Sequence, residues 1–182
     1  MNGILKLIPG STRVLFVFVS AVSFVFSAQT QSPELFAAKV VGDALKQDGV
    51  VAEMKTIPRT PQEIRRVVSR NLDPRLLSQV RSISGIDFEY VFPGSNPTTQ
   101  LGVIKLTYRN ISMATRMAKI LESRQNHFRN SKILIHFSSV RLGKLLVVAY
   151  SENSGDDRVV GALNSLPASF EKASESGTIF GR

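Results

Sequence analysis

The chain has no cysteine and only two histidines, and its first acidic residue is Glu34. Without cysteine there can be no disulfide staple, no lipid-modified cysteine and no thiol nucleophile, so packing alone must stabilise the fold. The two histidines, His127 and His136, are read on a helix end and on a strand. A metal site needs three or four converging ligands, and no close-spaced ligand motif accompanies them. No metal or cofactor is expected. Gly-x-Ser-x-Gly and Gly-x-x-x-x-Gly-Lys are both missing, which argues against an esterase-type serine and a phosphate-cradling loop. A Ser-His-acid set can be drawn from Ser138 or Ser139 with His127 and Asp87, but any serine-rich chain permits such a drawing. The acidic stretch Ser151–Asp157 lacks the alternating oxygen ligands of a calcium loop. Asp156 and Asp157 are read instead as caps of the last helix. A non-enzymatic protein is expected.

Also missing is an apolar run long enough for a membrane span, which takes about 20 residues. The longest run, Val14–Phe26, is 13 residues. Lys6 and Arg13 precede it, and small then polar residues follow from Ser27 to Ser32. Basic region, apolar core and small residues in that order describe a secretory signal peptide, with cleavage after Ser27, and after Ala28 as the alternative cut. Residues 1–27 are therefore expected to be a signal peptide and residues 28–173 one domain. Residues 174–182, which lack periodicity, are expected to be a loose tail. The localisation implied is periplasmic or extracellular. A retained membrane anchor is the alternative reading of the same segment.

Lys6 and Arg13 are two of the 23 basic residues, and none of the 14 acids precedes residue 28. That leaves 21 bases against 14 acids, a net charge of +7 over residues 28–182. An exported protein of this charge suits a protein partner or an anionic envelope polymer; nucleic acid is a less favoured partner. Membrane attachment is expected only if the N-terminal segment is uncleaved.

Periodicity divides the rest into alternating elements. Ser32-Pro33-Glu34 opens a helix whose apolar positions include Leu35, Phe36, Val40, Val41, Ala44 and Leu45. Val50–Ile57 reads as a strand. Thr60-Pro61-Gln62-Glu63 is a capping box before Ile64, Val67 and Val68. Asp73-Pro74 interrupts this helix, because proline lacks an amide hydrogen and biases the residue before it away from helix. Leu76, Leu77, Val80 and Ile83 predict a second helical segment reaching Gly85. Ile86–Phe92 alternates as a half-buried strand, and Leu101–Tyr108 returns beyond a Pro-Gly-Ser-Asn-Pro turn. A helix follows through Met113, Met117, Ile120, Leu121 and Phe128. Ile133–Phe137 and Leu145–Tyr150 predict a central hairpin, and a final helix runs through Val159, Leu163 and Leu166. The fold class is α+β: about five strands in a mostly antiparallel sheet, packed by helices. The β-α-β-β-α-β order from Val50 to Phe137 admits a ferredoxin-like arrangement with an extra strand and helix.

The candidate site is the basic helical stretch. Arg59, Arg65, Arg66, Arg70, Arg75 and Arg81 have only Glu63 and Asp73 as local acids. Ile64, Val67 and Val68 share one side of the helix, while Arg66 and Arg70 project from the other. Arginine forks bind carboxylate and phosphate through two points. Arg65, Arg66, Arg70 and Arg75 are the residues expected to bind an anionic partner.

Overall fold

The computed structural model describes residues 31–47, 55–90, 99–131, 136–151 and 157–176. Helix α1 covers Pro33–Gln47, strand β1 Lys55–Pro58 and helix α2 Pro61–Val67. A π-turn, Val68–Leu72, and a 3-10 turn, Pro74–Leu77, lead into β2, Val80–Tyr90. Strand β3, Thr99–Tyr108, and helix α3, Ile111–Ser131, come next. The chain closes with β4, His136–Leu142, β5, Leu145–Ser151, α4, Asp157–Asn164, and α5, Leu166–Glu175. The sequence-predicted signal segment and residues 177–182 of the predicted tail lie outside the described residues. So do Val50–Met54 of the first predicted strand. Ser174 and Glu175 belong to α5. Among the described residues, no helix is long and apolar enough to cross a membrane.

The five strands form one sheet in the order β1-β2-β3-β5-β4, and every neighbouring pair is antiparallel. This is the expected α+β class, but not the ferredoxin-like option. A split β-α-β unit needs parallel strands flanking a third, whereas β1 lies antiparallel against β2, its neighbour in sequence. The connection over Arg59–Gln79 reverses the chain rather than crossing the sheet. The hairpin Leu142-Gly143-Lys144-Leu145 forms as expected, with Gly143 at φ +57° supplying the turn. It is not central, however. Strand β5 pairs with β3, which leaves β4 at an edge.

Helices cover both faces of the sheet. On the first face α1, α4 and α5 bury Val41, Leu45, Leu163 and Phe170 against Phe88, Val103, Val147 and Ala149. Phe36 meets Phe170 edge to face at 4.8 Å and 77°. Leu35, expected on the apolar face of α1, is instead exposed, and Glu34 is buried. On the second face α2, the two short turns and α3 bury Ile64, Leu72, Leu76, Met117 and Leu121 against Ile104, Leu106, Tyr108 and Val148. The Tyr108 hydroxyl donates to the Leu76 carbonyl at 2.8 Å. Burial pushes its phenol well above the ordinary value, so it remains a donor.

Strand β2 begins earlier than expected, and its first residues explain the error. Val80 and Ile83 are three apart, the spacing of a helix face. A bulge between Val80 and Ser82 shifts the register against β3. One extra residue in a strand returns i and i+3 to the same side. Both side chains therefore pack into the second core as strand residues. Gln79, at φ +58°, ends the preceding turn.

Buried Glu34 sits where α1 crosses the sheet. Ser84 and Lys105 are cross-strand partners on β2 and β3. The Ser84 hydroxyl donates to Glu34 Oε1 at 2.5 Å, and Lys105 Nζ lies 2.9 Å from the same oxygen. Burial pushes the Glu34 carboxyl up, but the bonds from Ser84 and Lys105 outweigh it and hold it below its ordinary value. This polar cluster pins the first turn of α1 to the sheet.

Candidate anion-binding site at the β1–α2 edge

Helix α2 starts at Pro61 because Thr60 caps it. The Thr60 hydroxyl accepts from the Glu63 amide at 3.3 Å, and Glu63 Oε2 accepts from the Thr60 amide at 2.8 Å. The Thr60 hydroxyl also donates to that carboxylate at 2.8 Å. The bond from the Thr60 amide, first, and that from its hydroxyl hold the Glu63 carboxyl below its ordinary value. The one acid on α2 is thus committed to its cap.

The expected break at Asp73-Pro74 is present as two events. The helix widens into the π-turn Val68–Leu72, then restarts as the 3-10 turn. Asp73 caps that turn, accepting from the Arg75 amide at 2.9 Å. It also takes Arg75 Nε at 3.0 Å and Nη2 at 2.7 Å. The Arg75 side chain holds the Asp73 carboxyl below its ordinary value, against the upward push of burial. Arg75 therefore spends its fork on Asp73, although its side chain stays 68% exposed. Arg65, Arg66 and Arg70 are exposed, and among the described residues none of the three makes an ion pair.

Between this helix and the β1–β2 edge lies a cleft of about 350 Å³, lined by Ile57, Pro58, Arg59, Glu63, Arg66, Val67 and Asp87. Arg66 thus lines a cavity together with Arg59, named in the basic stretch but not among the expected binding residues, and Asp87, which was not read as part of this site. Arg59 follows β1, its amide donating to the Gly85 carbonyl at 3.0 Å. Its Nε makes a short bond to Asp87 Oδ2, and the two side chains are 20% and 11% exposed. The alternation of β2 suggested a solvent-facing Asp87. Because α2 covers the second face, that side of the strand is buried too.

Asp87 stands in a row across the second face. The pairings place Ile57, Asp87, Gly102, Tyr150 and Phe137 side by side on β1, β2, β3, β5 and β4. The Ser-His-acid drawing does not assemble. Two strands separate Asp87 on β2 from Ser139 on β4, about 14 Å at the usual strand spacing. Ser138 points to the opposite face. Among the described residues no group of three or more His, Cys, Asp or Glu could hold a metal. Residues 91–98, which hold the Pro-Gly-Ser-Asn-Pro turn, lie outside the described residues. Asn110, in an Asn-Ile-Ser glycosylation pattern, caps α3 by accepting from the Met113 amide at 2.8 Å.

Searches against protein-family models, curated proteins and solved structures found no match for this chain.

Proposed function

We propose that this is an exported, non-enzymatic binding or accessory protein that engages an anionic partner through the arginine face of α2 and the π-turn. One observation carries the reading. Segment 59–75 holds five arginines and two acids, and both acids are taken up within the segment, Glu63 by the cap and Asp73 by Arg75. Arg65, Arg66 and Arg70 are left as exposed positive charge on a short, well-capped scaffold. Export rests on the order of basic, apolar and small residues in segment 1–27, and it makes an envelope or extracellular protein the favoured partner.

The test is retention of a partner from an envelope extract by the immobilised protein. The double charge reversal Arg66→Glu/Arg70→Glu is expected to weaken retention at least about tenfold. Its urea midpoint should stay near that of the wild type, because both side chains are exposed. Wild-type retention should fall as salt rises from about 0.05 to 0.5 M, as screening shortens the reach of exposed charges. Unchanged retention by the variant would remove this face from consideration.

A further inference from the structure

We propose that the β1–α2 cleft is a seat for a carboxylate carried on a small apolar body, with Arg66 meeting the carboxylate and Asp87 positioning Arg59 beside it. The inference rests on the reading of the α2 face as the binding surface and names what that face holds.

The size and lining of the cleft bound the ligand. About 350 Å³ is near the lower end of small-molecule pockets. Ile57, Pro58 and Val67 offer apolar wall to a short hydrocarbon group, while Arg59 and Arg66 bring guanidinium groups to the same space. Two arginines and two carboxylates make the lining formally neutral. Both carboxylates already accept hydrogen bonds, Glu63 from Thr60 and Asp87 from Arg59. A dianionic phosphate would place two further negative charges beside them. A carboxylate adds one, and its two oxygens match the arginine fork. Apolar wall beside the fork then selects an acid with a hydrocarbon neighbour.

The Arg59–Asp87 ion pair forms part of the cleft wall. A largely buried ion pair is a poor source of stability, because desolvation consumes most of the attraction. At the wall of a cleft it does something else: it fixes the direction of a long cationic side chain before any ligand arrives. Asp87 itself is fixed in the cross-sheet row beside Gly102. Asp87 is thus a positioning residue, and Arg66 the residue that contacts ligand.

An apolar carboxylate of this kind could be the C-terminus of a peptide with an apolar last residue or a free short-chain acid. The purified protein is titrated with hexanoate, hexanamide, an Ala-Ala-Leu peptide with free C-terminus, its C-terminal amide, and inorganic phosphate. Calorimetry gives affinities, and nitrogen-15 spectra of the arginine Nε groups report the contact. Saturable binding of one or both acids is expected, with each amide at least about tenfold weaker. Binding of the peptide acid alone assigns a chain terminus, and binding of hexanoate alone a free acid. Arg66→Gln should lose at least about tenfold in affinity, with Arg66→Lys in between because it keeps charge without the fork. Asp87→Asn should weaken binding and broaden the Arg59 Nε signal while the Arg66 signal still responds to ligand. Equal binding of acid and amide, tighter binding of phosphate, or full affinity in Arg66→Gln would overturn the inference. If no probe binds while Arg66→Glu/Arg70→Glu still abolishes partner retention, the cleft assignment fails and the α2 face stands.

Discussion

Gly102→Ala is expected to lower the unfolding free energy by about 2–3 kcal/mol, a large effect for one methyl group. A Cβ at Gly102 would overlap Cζ, Cε1 and the hydroxyl of Tyr150, whose ring lies across the glycine on the next strand. Tyr150 is 2% exposed and belongs to the second core. Its ring can yield only by displacing neighbours packed at interior density. Urea unfolding gives the number, and a double-mutant cycle gives its cause. Tyr150→Leu removes the overlapping atoms, so Gly102→Ala should cost much less in the Tyr150→Leu background than in the wild type. A Gly102→Ala protein within about 0.5 kcal/mol of wild type would mean that the row Asp87-Gly102-Tyr150 is not packed as described.

Lys105→Met is expected to cost about 3 kcal/mol at neutral pH, and the cost should shrink in acid. In the wild type, Glu34 titrates below its ordinary value of 4.5. A depressed carboxyl contributes stability that is fully present above the unfolded value and is lost as pH falls through the folded one. Without Lys105, Glu34 keeps its burial and its Ser84 bond but loses its counter-charge. Burial is then opposed by fewer bonds, so the carboxyl moves up from its wild-type position. Ionised Glu34 is held less well in the variant at neutral pH, a loss relieved when it protonates. The gap between wild type and variant should therefore be wide at about pH 7 and narrow at about pH 3. Adding Glu34→Gln should restore part of the loss at neutral pH. A gap independent of pH would show that Lys105 acts through its aliphatic stem and not its charge.

Local signals in the sequence were read correctly where the chemistry was local. The Thr60–Glu63 box, Ser32 before α1 and the interruption at Asp73-Pro74 each depend on residues a few positions apart, and each is present. The hairpin at Gly143 belongs with them. What failed depended on partners distant in sequence. The bulge in β2 gave Val80 and Ile83 helical spacing, so a strand read as a helix. The most apolar hairpin read as central, yet β4 is an edge strand covered by helices. Apolar composition reports burial and not position in a sheet.

The site was legible in part for the same reason. Arg65, Arg66 and Arg70 stood out because the capping box fixed the start of α2 and the spacing of Ile64, Val67 and Val68 fixed its inward side. Asp87 did not, because alternation tells which side chains share a face and not what covers that face. Glu34 read as an ordinary first-turn acid. The one available signal was Lys105, the single charge on β3, at an inward position between Val103 and Thr107. A half-buried lysine calls for a carboxylate, and nothing short of the fold shows that it comes from residue 34.

The measurement that bears most directly on this account is site-specific photo-cross-linking in the source cells. One protein carries benzoylphenylalanine at Ser69, exposed in the π-turn beside Arg70; another carries it at Gly161, exposed on α4 on the far face. Adducts are recovered from fractionated cells and weighed intact. The account predicts an adduct from the Ser69 protein and none from the Gly161 protein, outside the cytoplasm, with the protein portion beginning at Ala28 or Gln29. An adduct from Gly161 alone, or a full-length chain held in the cytosol, would contradict it.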